Sequence, residues 1–367
     1  MSDQHAGNKN SSKVVPLPTS SDFQNPQLNL FQRFLCNTDP ERDQLSNAID
    51  LWDSVPRYSL SRQAMEKMRK AKSFPDLLRL EFTYKGTPLQ AVIQPARIED
   101  PDGIIRGYYP SANEELVEDA LRKIAADQNS GYFDKPNYRS GVVFTLYMLR
   151  QELKKRGHTR SYQEIIKALD ILSGSIIDIR TADGSRSDAF TRSAYFPCIS
   201  AVSRQKLKDD PHAKWIVQFH PLVTRSIDAL TYRQFNYHRM MSHSTQLARW
   251  LHKQLALKYT FASVTTPFEI RYCTIKRDSA LLENYSLERK AVAALDTAFD
   301  ELKVQKVLLA VQKKEITGLR GKIKDVVYIL TPFPDFVAQI KAANKRQSLA
   351  VKTTSDSVGN FDAVKTR

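Results

Sequence analysis

The residues best suited to chemistry in this 367-residue chain are cations, and they are grouped. From the end of the run "KVLLAVQKK" to the start of "DVVYILTP" stand Lys313, Lys314, Arg320, Lys322 and Lys324. Five positive charges on one short connection repel each other unless an anion is near, and a nucleic-acid backbone supplies one. Lysines beside a strand also serve as a solubilising edge that blocks aggregation. Upstream, "SLERKAVAALDTAFDEL" puts Ser286, Arg289 and Lys290 at the start of a helical pattern, with Ala293 on the same polar side. A helix start offers backbone N–H groups to phosphate. An Arg there can reach a base edge. Lys276 and Arg277 lie just before this segment in "YCTIKRDSA". The first half holds a thinner set: Arg160, Tyr162, Gln163 and Lys167 in "TRSYQEIIKALD", then Arg186 and Arg192.

Catalytic constellations do not emerge. "GLRGKIK" has neither the spacing nor the following Ser/Thr of a P-loop, and there is no H-E-x-x-H. His238, His243 and His252 are not spaced as a helical i, i+4 ligand pair and read as surface or core-edge residues. No His-hydrophobe-His pair stands ready to hold a metal for a nicking enzyme. Cys36, Cys198 and Cys273 are far apart and form no C-x-x-C, which speaks against a zinc site or disulfide framework. Cys198 and Cys273 read as small buried hydrophobes. The expectation is a protein without enzyme activity, cofactor or metal.

Charge is placed unevenly. Residues 1–200 hold 27 Lys/Arg and 25 Asp/Glu, whereas residues 201–367 hold 28 and 15, out of a net +15. A polyanionic partner for the second half follows from that imbalance. No apolar run approaches the roughly 18 residues of a membrane span. "MSDQHAGNKN" shows no charged-then-apolar leader pattern, so a cytoplasmic location without membrane association is expected.

The elements that must position these cations read as an α+β chain. Residues 1–45 form an expected flexible arm rich in Ser, Asn, Asp and Pro, and 46–74 a basic helical segment built on "RYSLSRQAMEKMRKAK". "LLRLEFTYKGTPLQAVIQPARI" alternates around Lys85-Gly86-Thr87 as a β-hairpin. "SANEELVEDALRKIAAD" is a helix with Ser111 and Glu114 as capping box and Leu116, Ala120, Leu121 and Ile124 as its apolar stripe. "GVVFTLYMLRQELKKRG" reads as a second helix ending at Gly157. The third starts at another capping box, Ser161 and Glu164, and two strands follow around "ADGSRSD". This order predicts a winged helix-turn-helix over 75–205. The second half repeats it: helices in "STQLARWLHKQLALKY", "PFEIRYCTIKRDSA" and, capped by Ser286, "SLERKAVAALDTAFDEL", then strand, basic turn and strand. "SYQEIIKALD" and "SLERKAVAALD" occupy the same place in both strings, so tandem winged helix-turn-helix domains are expected, the second over 213–335. Residues 347–367 read as a disordered tail. Within the arm, "QLNLF" groups Leu28, Leu30 and Phe31 in polar surroundings. Such a cluster either folds back on the body or fits a partner's groove.

In "LARWLHKQLALKY", "SLERKAVAALDTAFDEL" and "FTLYMLRQELKKRG…SYQEIIKALDIL" the chain resembles plasmid replication initiators of the TrfA/RepA type, over about residues 75–330, with Trp250-Leu251-His252 as the sharpest part. The resemblance implies tandem winged helices that bind double-stranded DNA at directly repeated origin sites (iterons), an AT-rich segment opened without ATP hydrolysis, and recruitment of the replicative helicase. It implies a homodimer that represses its own promoter, and so copy control. The first domain would serve dimerisation and auxiliary DNA contact, the second the main binding. It also gives "QLNLF" a partner. Some members carry a peptide similar to Q-L-S-L-F that docks in the bacterial sliding clamp, so Gln27, Leu28, Asn29, Leu30 and Phe31 become a clamp-binding motif with Asn29 in place of Ser. A winged-helix transcriptional repressor without initiator activity is the alternative.

Overall fold

The computed structural model describes residues 43–126, 130–134, 136–182, 191–202, 210–317 and 323–364. The chain is a mixture of helix and sheet. Strand β1 (Leu45–Ile49) leads directly into α1 (Asp50–Ser54), and α2 (Arg62–Lys70) follows with Ser61 as N-cap, its side chain accepting from Ala64 N. Arg57, expected in the basic helix, lies outside it and is buried. Strands β2 (Leu78–Tyr84) and β3 (Thr87–Gln94) form the expected hairpin. Its two-residue turn needs positive φ at both positions, which Lys85 (48°) and Gly86 (83°) adopt. A small hairpin, β4 (Ala96–Glu99) with β5 (Ile105–Tyr108), comes next.

The first helical unit is α3 (Ala112–Ala125), α4 (Leu146–Lys155) and α5 (Tyr162–Gly174), with β6 (Gly131–Asp134) and β7 (Arg139–Thr145) between the first two helices. "GVVF" is therefore strand and not helix. An apolar run of that length suits either element, and pairing of β7 with a distant strand decides it. Both capping boxes form: the Glu114 carboxylate accepts from Ser111 N, and that of Glu164 from Ser161 N, each at 2.8 Å. After α5 come β8 (Ile176–Thr181) and β9 (Thr191–Ala194), which complete the sheet β2-β3-β8-β9.

Strands β10 (Cys198–Val202) and β11 (Lys214–Gln218) then join β7 and β6 in a sheet ordered β10-β11-β7-β6. Residues 214–218 thus hydrogen-bond to first-unit strands, and the expected boundary at 205–213 cuts across one sheet. Helix α6 (Pro221–Asp228), strand β12 (Tyr232–Asn236) and α7 (Tyr237–Met241) lead to the second unit, β12 pairing back with β1.

That unit is α8 (Gln246–Lys258), β13 (Phe268–Arg271), α9 (Tyr272–Ser279), α10 (Glu288–Val304), β14 (Leu308–Thr317) and β15 (Ile323–Pro332), with its sheet ordered β13-β15-β14. "PFEI" is again strand where helix is expected, held by β15. Helix α11 (Pro334–Val364) closes the chain, so 347–364 continue a helix in place of the expected coil. Arg233 and Leu230 O bind Gln347 and hold its fourth turn to the body.

One contiguous apolar cluster runs through both units, from Trp52 and Leu121 to Leu295 and Phe336. Cys198 and Cys273 lie outside it and are exposed. His243 and His252 are fully buried and face each other at 3.0 Å, deeper than the surface or core-edge position expected. Among the described residues no helix is long and apolar enough to cross a membrane.

Candidate nucleic-acid interface

Helix α10 buries Ala291, Leu295, Ala298, Phe299 and Leu302 and turns its other face outward. Residues 285–290 form an exposed stretch, followed by exposed Ala293 and Thr297. Ser286, Arg289 and Lys290 all stand there. Ser286 does not cap the helix. The N-cap is Leu287, which has no side-chain acceptor, so the first-turn N–H groups receive no capping bond. Arg289 and Lys290 make no ion pair among the described residues. An uncapped helix start with two unpaired cations is a ready anion site.

The neighbouring cations are engaged differently. Lys276 Nζ lies 2.6 Å from Glu288 Oε1 in the first turn of α10, and Tyr272 Oη donates to the other oxygen. The Lys276 hydrogen bond, then that of Tyr272, lowers the Glu288 carboxyl, and the same contact raises Lys276. Arg277 pairs with Asp278 at 2.8 Å, where Asp278 also accepts from Thr83 N on β2. Lys313 binds Asp296 of α10 and so ties the hairpin to the helix. These three cations stabilise the protein's own acids.

The hairpin β14–β15 carries Lys314 and Lys324, both exposed and without an ion pair among the described residues. Lys314 is opposite Val327. The register shifts between Ile316 and Thr317, whose partners are Asp325 and Ile323, so Lys324 is the extra residue of a bulge. Arg320 and Lys322, between the strands, lie outside the described residues.

In the first unit the corresponding end is differently built. Arg160 donates from Nε to Asn113 Oδ1 at 2.5 Å, and Arg150 stacks on the Tyr162 ring at 4.9 Å. Lys167 reaches Asp100 Oδ1 at 2.6 Å and lies 4.2 Å above the Tyr108 ring. Burial would raise the Asp100 carboxyl, but hydrogen bonds from Lys167, Tyr108 and Arg106 hold it well below the usual range. Exposed on α5 are Gln163, Glu164 and Asp170, so this face is acidic. Arg192 is exposed on β9; Arg186 lies outside the described residues, as do Gln27, Leu28, Asn29, Leu30 and Phe31.

Sequence reasoning missed what fixes the two units against each other. Four carboxylates and four cations are buried between α3, α8 and the α1 segment. Arg122 pairs with Asp53 (2.7 Å) and Asp119 (2.6 Å), and Arg57 with Asp53 (2.9 Å) and Glu118 (3.1 Å). From α8, Lys253 meets Asp119 (2.9 Å) and Glu115 (3.1 Å), and Arg249 meets Glu115 (3.3 Å). Burial would raise Asp53, yet Arg122, Arg57 and Lys253 hold it far below its ordinary value. The one available signal was an α3 sequence charged at 114, 115, 118, 119, 122 and 123, too much charge for one solvated face.

No protein-family model matches the chain, and no curated protein matches it. Among solved structures it is similar to domains 2 and 3 of RctB, at 11% identity and a TM-score of 0.46 over 70% of this chain and 91% of that one. A second structure of RctB domains 2–3 gives 11% identity and 0.43 over 73% and 95%. The Pi initiator protein in complex with iteron DNA gives 13% identity and 0.41 over 61% and 95%.

Proposed function

We infer that the chain is a duplex-DNA-binding replication initiator of the plasmid type. In this reading each helical unit with its hairpin is a winged helix-turn-helix, and α10 is the main reading helix, its start entering the major groove. The single observation that carries it is the exposed start of α10, with Ser286, Arg289, Lys290 and Ala293 beside the Lys314–Lys324 hairpin. Arg289 reads a base edge, and the hairpin cations grip phosphate. The chain acts without enzyme activity or cofactor, in the cytoplasm.

The first unit serves chiefly as a homodimer platform. Its sheet ends at β2, where Leu77 is exposed, while Leu78 and Leu80 pack against the core and α9 covers the other end of the strand through Thr83 N and Asp278. The acidic outer face of α5 also favours a protein partner over phosphate. Opening of an AT-rich segment, repression of its own promoter, helicase recruitment and capture of the sliding clamp by "QLNLF" belong to the same proposal. Footprinting of the full chain on the DNA around its own gene, combined with permanganate probing for unpaired bases, tests it. A row of protected direct repeats beside an opened AT-rich segment is the expected result. Protection of a lone palindrome with no opening would instead identify a transcriptional repressor.

A further inference from the structure

We propose that α2 is a separate, sequence-independent DNA contact that holds the phosphodiester backbone between the first unit's α5 and the reading helix α10. This rests on the DNA-binding role inferred above. The placement comes from both ends of the segment. Before α2, Ser59 O accepts from Asn284 Nδ2 at 3.3 Å, and Asn284 lies in the loop that enters α10. Tyr58 O accepts from Gln246 Nε2 of α8 at 2.8 Å. On the other side Arg62 pairs with Glu114 at 2.7 Å, while the adjacent Asn113 holds Arg160 at the entry to α5. Arg69 donates to Gly107 O at 2.6 Å and stacks 4.6 Å from the Tyr108 ring of hairpin β4–β5, the ring over which Lys167 of α5 also lies, at 4.2 Å. Helix α2 thus bridges the entries of both third helices.

Its inner side is Met65, Arg62, Met68 and Arg69; its outer side is a stripe of Gln63, Lys67 and Lys70 at helical spacing, extended by Lys72. The acid of α2, Glu66, is paired with Arg69. Lys67, Lys70 and Lys72 are exposed and make no ion pair among the described residues. Unpaired lysines in a row repel each other, and that repulsion is relieved by an anionic strand. Nine helical residues are about 13 Å long, roughly four nucleotides' rise along one strand. Lys167 and Arg160 of the first unit are directed inward, so a strand that passes the first unit beside α10 meets its free cations on α2 and not on α5.

The test uses the full chain and a 30-base-pair duplex of arbitrary sequence, with affinity followed against salt. Changing Lys67, Lys70 and Lys72 to Gln should lower the slope of log affinity against log salt by about 2–3, since each phosphate contact contributes about 0.9. The melting temperature should stay unchanged. Lys341→Gln with Lys345→Gln, on α11, should leave the slope as it is. If wild type binds and the triple variant keeps its slope, or if the α11 variant lowers it as much per charge, the α2 contact is overturned while the DNA-binding reading stands. If wild type binds no duplex, both fall.

Discussion

Lys276 Nζ stands 2.6 Å from Glu288 Oε1, so a cation of α9 neutralises the acid in the first turn of α10. The contact matters because an ionised carboxylate at that end would repel an incoming phosphate. In the DNA-binding reading proposed above, the role of Lys276 is to act through Glu288. Lys276→Gln should weaken duplex binding about two- to fivefold and Glu288→Gln should strengthen it by a similar factor, as for charges at a helix end. If Lys276 acts only by neutralising Glu288, Lys276→Gln should have no further effect once Glu288 is Gln, so the double variant should bind like Glu288→Gln, and a binding cycle checks this. A double variant that returns to wild type, the sum of two independent effects, would mean that Lys276 touches DNA itself.

Arg289 and the hairpin lysines should separate by kind of effect. Arg289→Ala should cost about 1–3 kcal/mol on the preferred sequence and little on others, because a base-edge contact is lost. Lys314→Gln and Lys324→Gln should weaken binding to every sequence and each lower the salt slope by about 1. Titration on specific and scrambled duplexes distinguishes the two.

The buried charges between α3 and α8 make the junction sensitive to single changes. Lys253→Met leaves Asp119 and Glu115 short of a partner and should destabilise the fold by about 3–5 kcal/mol. Removing the complementary acid as well, Asp119→Leu with Lys253→Met, should recover a large part of that loss. Chemical denaturation of the two variants measures it.

His220 is buried, stacks on Trp52 at 4.2 Å and is pushed down to about 3 by burial and, secondarily, Arg57. The unfolded chain binds this proton near pH 6.5. Between pH 6.5 and about 3 the unfolded state holds the extra proton, so stability falls as pH falls through that window. The slope is about 1.4 kcal/mol per pH unit for this group once the unfolded His is charged. His220→Asn keeps an acceptor for Leu222 N, which His220 caps at 3.2 Å, and should reduce the slope between pH 6 and 4 by about that amount. Thermal melts across this range read it.

What could be read from the sequence was what local chemistry dictates. The capping boxes at Ser111 and Ser161, the Lys85-Gly86 turn and the basic hairpin all depend on residues a few positions apart. "GVVF" and "PFEI" failed because their partners are distant: β7 lies on β11 and β13 on β15. Ser286 failed as a cap by one position, since the helix starts after Leu287. Of the site, the exposure of Arg289, Lys290, Lys314 and Lys324 agrees with their spacing, whereas Lys167, Lys276 and Lys313 turn inward to Asp100, Glu288 and Asp296. Those acids lie 12 to 67 residues away in sequence, beyond any periodic pattern.

Selection of binding sites from a random duplex library by the full chain tests most directly whether the start of α10 reads bases. Wild type should enrich a directional motif, and Arg289→Ala should lose information at a subset of its positions while still retaining duplex. Recovery of no motif by wild type, or of an identical motif by Arg289→Ala, would contradict the assignment of α10 as the reading helix.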